Sequence, residues 1–183
     1  MKTIIRKSHT AEQQIYFWTA TINKWQHLLL PDDFKQIVLS SLKNLSDRQL
    51  ITVYAFVIMP NHIHLIWQLN AQNGKESAKG SFLKFTAHAF KKKLETSIKL
   101  ESYKVSAANK AYEFWQRDSL GIAIWSRGVA QQKLEYIHAN PVSGKWQLAK
   151  DDISYYWSSA RFYEFGKDDF GILKNLFIEF DGD

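Results

Sequence analysis

Apolar and polar positions along this chain follow two rhythms. Ile15 to Ile22 (IYFWTATI) is β-branched and aromatic without a breaker, which suits a buried strand better than a helix. Pro31-Asp32-Asp33 then opens a segment in which Phe34, Ile37, Val38, Leu42 and Leu45 recur at helical spacing, with the acids at the positive end of the helix dipole. Leu50 to Met59 (LITVYAFVIM) reads as a second strand, stopped by Pro60-Asn61, and His62 to Leu69 (HIHLIWQL) follows at once as a third. A turn that tight makes the pair an antiparallel hairpin.

Ala71 to Gly80 is small, polar and glycine-containing, and reads as a loop. Ser81 then caps a long helix with Phe82, Phe85, Ala89 and Leu94 facing inward, while Lys84, Lys91, Lys92, Lys93 and Lys99 mark its outer surface. From Ala111 to Trp125 the pattern is mixed, with Ile122 to Trp125 strand-like; Ser126 is placed to cap a helix that runs to about His138 and stops before Asn140-Pro141. In the tail, Trp157, Ala160, Arg161 and Glu164 have the spacing of a short helix. Repeats, low-complexity tracts and linkers are absent, so residues 1–183 are expected to form a single α/β domain.

A length of 183 residues suits one compact domain with a real core. Lys and Arg outnumber Asp and Glu by 24 to 18, a formal charge of +6 that favours polyanionic partners through counterion release. With no cysteine, disulfides, thiolate zinc sites and cysteine nucleophiles are excluded together, and any metal must rest on His, carboxylate, amide or water. Aromatic residues make up 15%, enough that some rings are available for work outside the core. The N-terminus MKTIIRKSHTAEQQ has no apolar stretch of signal-peptide length, and nothing approaches the roughly 18 to 20 apolar residues of a membrane span. A soluble, cytoplasmic protein with no membrane partner is expected.

Two features bear on chemistry. His62 and His64 are two apart on a predicted strand, so their side chains leave the same face while Ile63 points the other way. Two neutral imidazoles would leave coordination positions free on a divalent metal; the same spacing is met by one exposed and one hydrogen-bonded histidine that bind nothing. On the helix after Ser126, Ala130, Leu134 and Ile137 form one face, and Lys133, Tyr136 and Asn140 another. Tyr136 beside the Asn140 amide has the makings of a nucleophile, whose phenol has a free pKa of about 10, but the helix alone favours an ordinary amphipathic tyrosine at a core edge. His138, about 200° around the helix from Tyr136, reads as structural.

The segments VIMPNHIHLIW, FWQRD, LEYIHANPV and YYWSSARFYE occur in an order and spacing that resembles REP-associated tyrosine transposases, within the single-tyrosine HUH transposase superfamily. That resemblance covers nearly the whole chain. It implies an α+β fold, a ferredoxin-like or RRM-like antiparallel sheet with helices packed on one face. It also implies metal ligands at His62, His64 and Asn140 and a nucleophile at Tyr136, with Mg²⁺ or Mn²⁺ as cofactor. The implied function is cutting and rejoining of single-stranded or hairpin DNA, and thus DNA transposition or recombination. One departure is the stretch DSLGIAIWSRGVAQQKLE, where Gly121 and Gly128 approach the tyrosine helix and a helical glycine costs about 1 kcal/mol relative to alanine. Lys84, Lys91, Lys92, Lys93, Lys99 and Lys133 are expected to contact backbone phosphates, and Trp115 and Arg117 to stack on bases or grip them. Two alternatives stay open: a nucleic-acid-binding module of the same fold with lapsed or repurposed catalysis, and a metal hydrolase using water. Monomer and homodimer are both compatible with the sequence.

Overall fold

The computed structural model describes residues 13–107, 110–117 and 119–181. The stretch at 1–12, read for a signal peptide, and Asp118 of the FWQRD segment lie outside the described residues. The main elements are β1 (Ile15–Thr21), α1 (Asp32–Asp47), β2 (Ile51–Ile58), β3 (His62–Leu69), α2 (Ala78–Leu94), β4 (Leu120–Ala123), α3 (Arg127–Ala139) and α4 (Ala160–Phe165). The four strands form one sheet in the order β2-β3-β1-β4, every neighbour antiparallel. This is the ferredoxin-like strand order, and the fold is α+β as the resemblance implies.

Period-two alternation divides the core. On one face, Trp18, Phe56, Leu65 and Trp67 pack against Phe34, Val38 and Leu42 of α1 and Phe82 and Phe90 of α2. Trp18 and Trp67 stack at 4.8 Å, and Phe82 meets Trp18 edge-on at 5.9 Å. Each such ring contributes on the order of 1.5–3 kcal/mol of burial free energy. The opposite face, with Phe17, Val57 and Ile66, is covered by Ala130, Leu134 and Ile137 of α3 and by Tyr155 and Leu176. The helices expected on one face are thus α1 and α2; α3 and the C-terminal segment cover the other, because β2 and β3 are apolar on both sides.

Three local expectations change. Ser77, not Ser81, caps α2: its Oγ accepts from the Gly80 amide at 3.0 Å, because a short ladder of Gln72–Asn73 with Glu76–Ser77 starts the helix earlier. Ser81 is buried and donates to Glu76. Phe85 is 56% exposed, and Thr86 takes the inward position because its hydroxyl donates to the Phe82 carbonyl and accepts from the Trp115 indole. Finally, β4 lies two residues earlier than expected and leaves Trp125 exposed.

The glycine-marked approach to α3 is held at both ends. Gly121 pairs opposite Trp18 in the sheet, and a side chain at Gly128 would meet nothing within 4 Å. Ser126 caps the helix by accepting from Val129 N at 3.3 Å. Arg127 binds Asp181 at 2.8 Å and lies over the Phe177 ring. The Ser126 cap offsets the glycine cost.

Candidate active site

Strand register determines where the histidines go. On β3, His62 pairs with Thr21 and His64 with Thr19 of β1, so four polar side chains interrupt the otherwise apolar α3-facing surface. Ile63 and Leu65 point to the opposite core, as alternation requires. The imidazoles lie edge to face, centroids 4.7 Å apart, and His64 stacks on Phe17 at 5.3 Å.

Each ring uses Nδ1 for a local hydrogen bond. His62 Nδ1 is 2.7 Å from Asn61 Oδ1, and His64 Nδ1 is 2.8 Å from Thr19 Oγ1. His64 Nε2 is buried and has no hydrogen-bond partner among the described residues. Burial holds both rings neutral, since a charged imidazole would lose its hydration. It lowers His62 to about 4 against the opposing pull of the Asn140 side chain, and Lys145 lowers it further. Burial lowers His64 to about 3, with a smaller contribution from His62. Two neutral imidazoles at neutral pH are in the form that binds metal.

The third and fourth groups come from α3. Tyr136 is half exposed, its ring edge-on to His64 at 5.2 Å and to Phe17 at 5.8 Å. Asn140, four residues on, is the helix C-cap and is buried, facing His62. Lys133, one turn before Tyr136, places its ammonium over the Phe17 ring at 5.2 Å. His62, His64, Tyr136 and Asn140 all line one cleft of about 620 Å³, together with Thr19, Thr21, Trp25, Gln116, Lys145 and Trp146. His138 points away, as its place on the helix requires. Its Nε2 meets Ser159 Oγ at 2.9 Å, and burial lowers it to about 4.

Among the described residues, no cluster of three or more His, Cys, Asp or Glu side chains is placed to hold a metal. The donors are two imidazoles and an amide, a set without charge. An orphaned His64 nitrogen in a polar cleft fits a divalent cation. A neutral set also implies that much of the affinity would come from anionic substrate oxygens.

Of the basic residues predicted from sequence, Lys133 lies beside Tyr136, while those of α2 and Lys99 do not converge on this cleft. Lys84, Lys91, Lys92 and Lys93 belong to α2, in the layer across the sheet from the histidines. Lys93 pairs with Asp33 at 2.7 Å, Lys84 sits 4.0 Å from Glu76, and Lys91 lies over Tyr112. Lys93 and Lys99 line a separate cleft with Asp33, Ser97 and Tyr103. Trp115 is buried against Phe82 and Phe90, with its indole spent on Thr86, so its ring serves the core and is not free to stack on a base. Arg117 pairs with Glu113 at 3.0 Å, next to cleft-lining Gln116. Sequence spacing gave no sign of Trp25, Lys145 or Trp146. Trp146 approaches His62 at 5.9 Å, and Trp25 is 60% exposed.

With this geometry in place, comparison with known proteins bears on the fold. No protein-family model and no curated protein matches the sequence. A solved structure described as a REP-associated tyrosine transposase bound to a REP hairpin matches with a TM-score of 0.63 and 18% identity, over 93% of this chain and 90% of that one. This chain has the fold of that transposase. A protein from Deinococcus radiodurans R1, described as a candidate transposase, aligns over 75% of this chain and 95% of its own at 16% identity, with a TM-score of 0.41. No helix among the described residues is long and apolar enough to cross a membrane.

Proposed function

We propose that this chain is a metal-dependent single-strand DNA endonuclease and strand transferase of the single-tyrosine HUH type, acting on hairpin-containing DNA. The observation that carries this reading is the convergence of Tyr136, His62, His64 and Asn140, from a strand and a helix distant in sequence, on one cleft. Support comes from the fold shared with a transposase bound to a hairpin. His62, His64 and Asn140 would hold Mg²⁺ or Mn²⁺, the imidazoles favouring Mn²⁺; when bound, the ion supplies electrostatic stabilisation of the phosphate oxygens. Tyr136 Oη forms a bond to phosphorus while the bond to the DNA 3′-oxygen breaks. The phenol's proton is balanced by the one the departing 3′-oxygen gains, leaving a 5′-phosphotyrosine and a free 3′-hydroxyl. One phosphoester replaces another, so rejoining is the reverse attack and needs no ATP. Lys145 and Lys133 flank the path with positive charge, and Trp25 and Trp146 offer faces to unpaired bases.

The decisive experiment incubates the protein with Mn²⁺ and labelled single-stranded hairpin DNA, denatures it, and looks for label on the protein. An adduct in the wild type and none in Tyr136→Phe is expected. An adduct that persists in Tyr136→Phe removes the nucleophile. Cleavage without adduct assigns the attack to water, and binding without cleavage leaves a nucleic-acid-binding module.

A further inference from the structure

The turn between β1 and α1 holds two consecutive non-glycine residues in the left-handed region, Lys24 at φ 55° and Trp25 at φ 57°. Such residues are uncommon there and persist only where the surroundings hold them. What this conformation achieves is visible in its hydrogen bonds. The Trp25 amide donates to the Ile22 carbonyl at 2.9 Å, and its own carbonyl is turned to accept from Asn61 Nδ2 at 3.2 Å. Asn61 is 2% exposed, and its backbone carbonyl accepts from Ile22 N at 2.8 Å. With Nδ2 committed to a carbonyl, which can only accept, the amide cannot flip, and Oδ1 is aimed at His62 Nδ1. An amide oxygen has no proton to give. The imidazole must therefore carry its proton on Nδ1 and keep its lone pair on Nε2.

We propose that Asn61 is a positioning residue that holds His62 in the Nδ1–H tautomer, anchored by the left-handed Lys24-Trp25 turn, so that the Nε2 lone pair is left for the Asn140 side of the cleft. Thr19 beside His64 does not impose the same choice, because a hydroxyl both donates and accepts. The two histidines thus differ: one is set by a locked amide, the other by whatever occupies the cleft. The consequence for metal binding rests on the reading of His62 as a ligand, but the tautomer itself does not.

The test is ¹⁵N NMR of the histidine rings in the metal-free, DNA-free protein at neutral pH. Wild type is expected to show His62 with a protonated Nδ1 and an unprotonated Nε2. The opposite tautomer in the wild type overturns the proposal with no variant needed. In Asn61→Ala the preference is expected to disappear. Asn61→Ala that folds and keeps the wild-type tautomer also overturns it. Titration with Mn²⁺ alone is expected to need 10–100-fold more ion to broaden the His62 signals in Asn61→Ala than in wild type. Equal broadening breaks the link to the metal. Since tautomer and adduct are read separately, failure here is distinguishable from failure of the nuclease reading.

Discussion

The two faces of β3 are built from the same eight residues and do opposite things. Ile63, Leu65 and Trp67 enter the core beneath α1 and α2, where Trp67 is fully buried. His62 and His64 face α3, equally short of water, but surrounded by Asn61, Thr19, Tyr136 and Asn140. Each face carries buried polar atoms without a hydrogen-bond partner among the described residues: the Trp18 and Trp67 indole N–H groups on the first, His64 Nε2 on the second. Neither burial nor an unpartnered polar atom separates core from site: the indoles stack on each other, whereas the His64 ring lines a cleft that it shares with His62, Tyr136 and Asn140.

Substitutions break this contrast in order of size. Tyr136→Phe is expected to remove the protein–DNA adduct entirely while changing unfolding free energy by less than about 0.5 kcal/mol, as gel analysis and urea denaturation would show. Trp67→Ala, on the other face, is expected to cost about 3–5 kcal/mol of stability through transfer and cavity effects; a loss under 1 kcal/mol in a denaturant titration would mean that the Trp18-Trp67 stack is not central.

Acid sharpens the comparison, because the buried histidines among the described residues lie on the α3 side. His62, His64 and His138 have folded values near 4, 3 and 4, below the ordinary 6.5 of the unfolded chain. Below 6.5 the unfolded chain binds protons that the folded protein refuses. The stability these groups contribute is therefore present above pH 6.5 and is lost as pH falls towards 3–4, on the order of a few kcal/mol in all. Urea midpoints from pH 7 to 4, in the absence of metal, should fall steadily. His138→Phe, losing one such group, should flatten the slope.

Smallest is the difference between lysines. Lys145→Ala, at the cleft and electrostatically coupled to His62, is expected to weaken hairpin binding several-fold and to reduce its salt dependence by about one unit of slope. Lys92→Ala, on the far layer, should leave both unchanged. Fluorescence anisotropy across a salt series would separate them, and equal effects would move the DNA path to α2.

Much of this was legible in the chain. The bounds of β3, the shared face of His62 and His64, and the Ser126 cap follow from local rules, because alternation and capping depend on residues a few positions apart. Phe85 and Trp115 went the other way. Whether an aromatic ring is buried or exposed depends on partners far off in sequence, here Thr86, whose hydroxyl serves both its own helix and the Trp115 indole. Asn61 looked like turn punctuation beside Pro60. Its role emerges from a carbonyl 36 positions earlier, in a backbone conformation that no propensity favours for Lys or Trp.

Residue order alone dictated an antiparallel α/β domain with two imidazoles on one strand face and a tyrosine one helical turn from an amide, since these are consequences of periods 2 and 3.6. That β1 would pair beside β3, that α3 would lie over the histidine face, and that the α2 lysines would end on the far layer were matters of packing. Those outcomes depend on contacts between distant segments, which minimise exposed apolar area over the whole chain and leave no local trace.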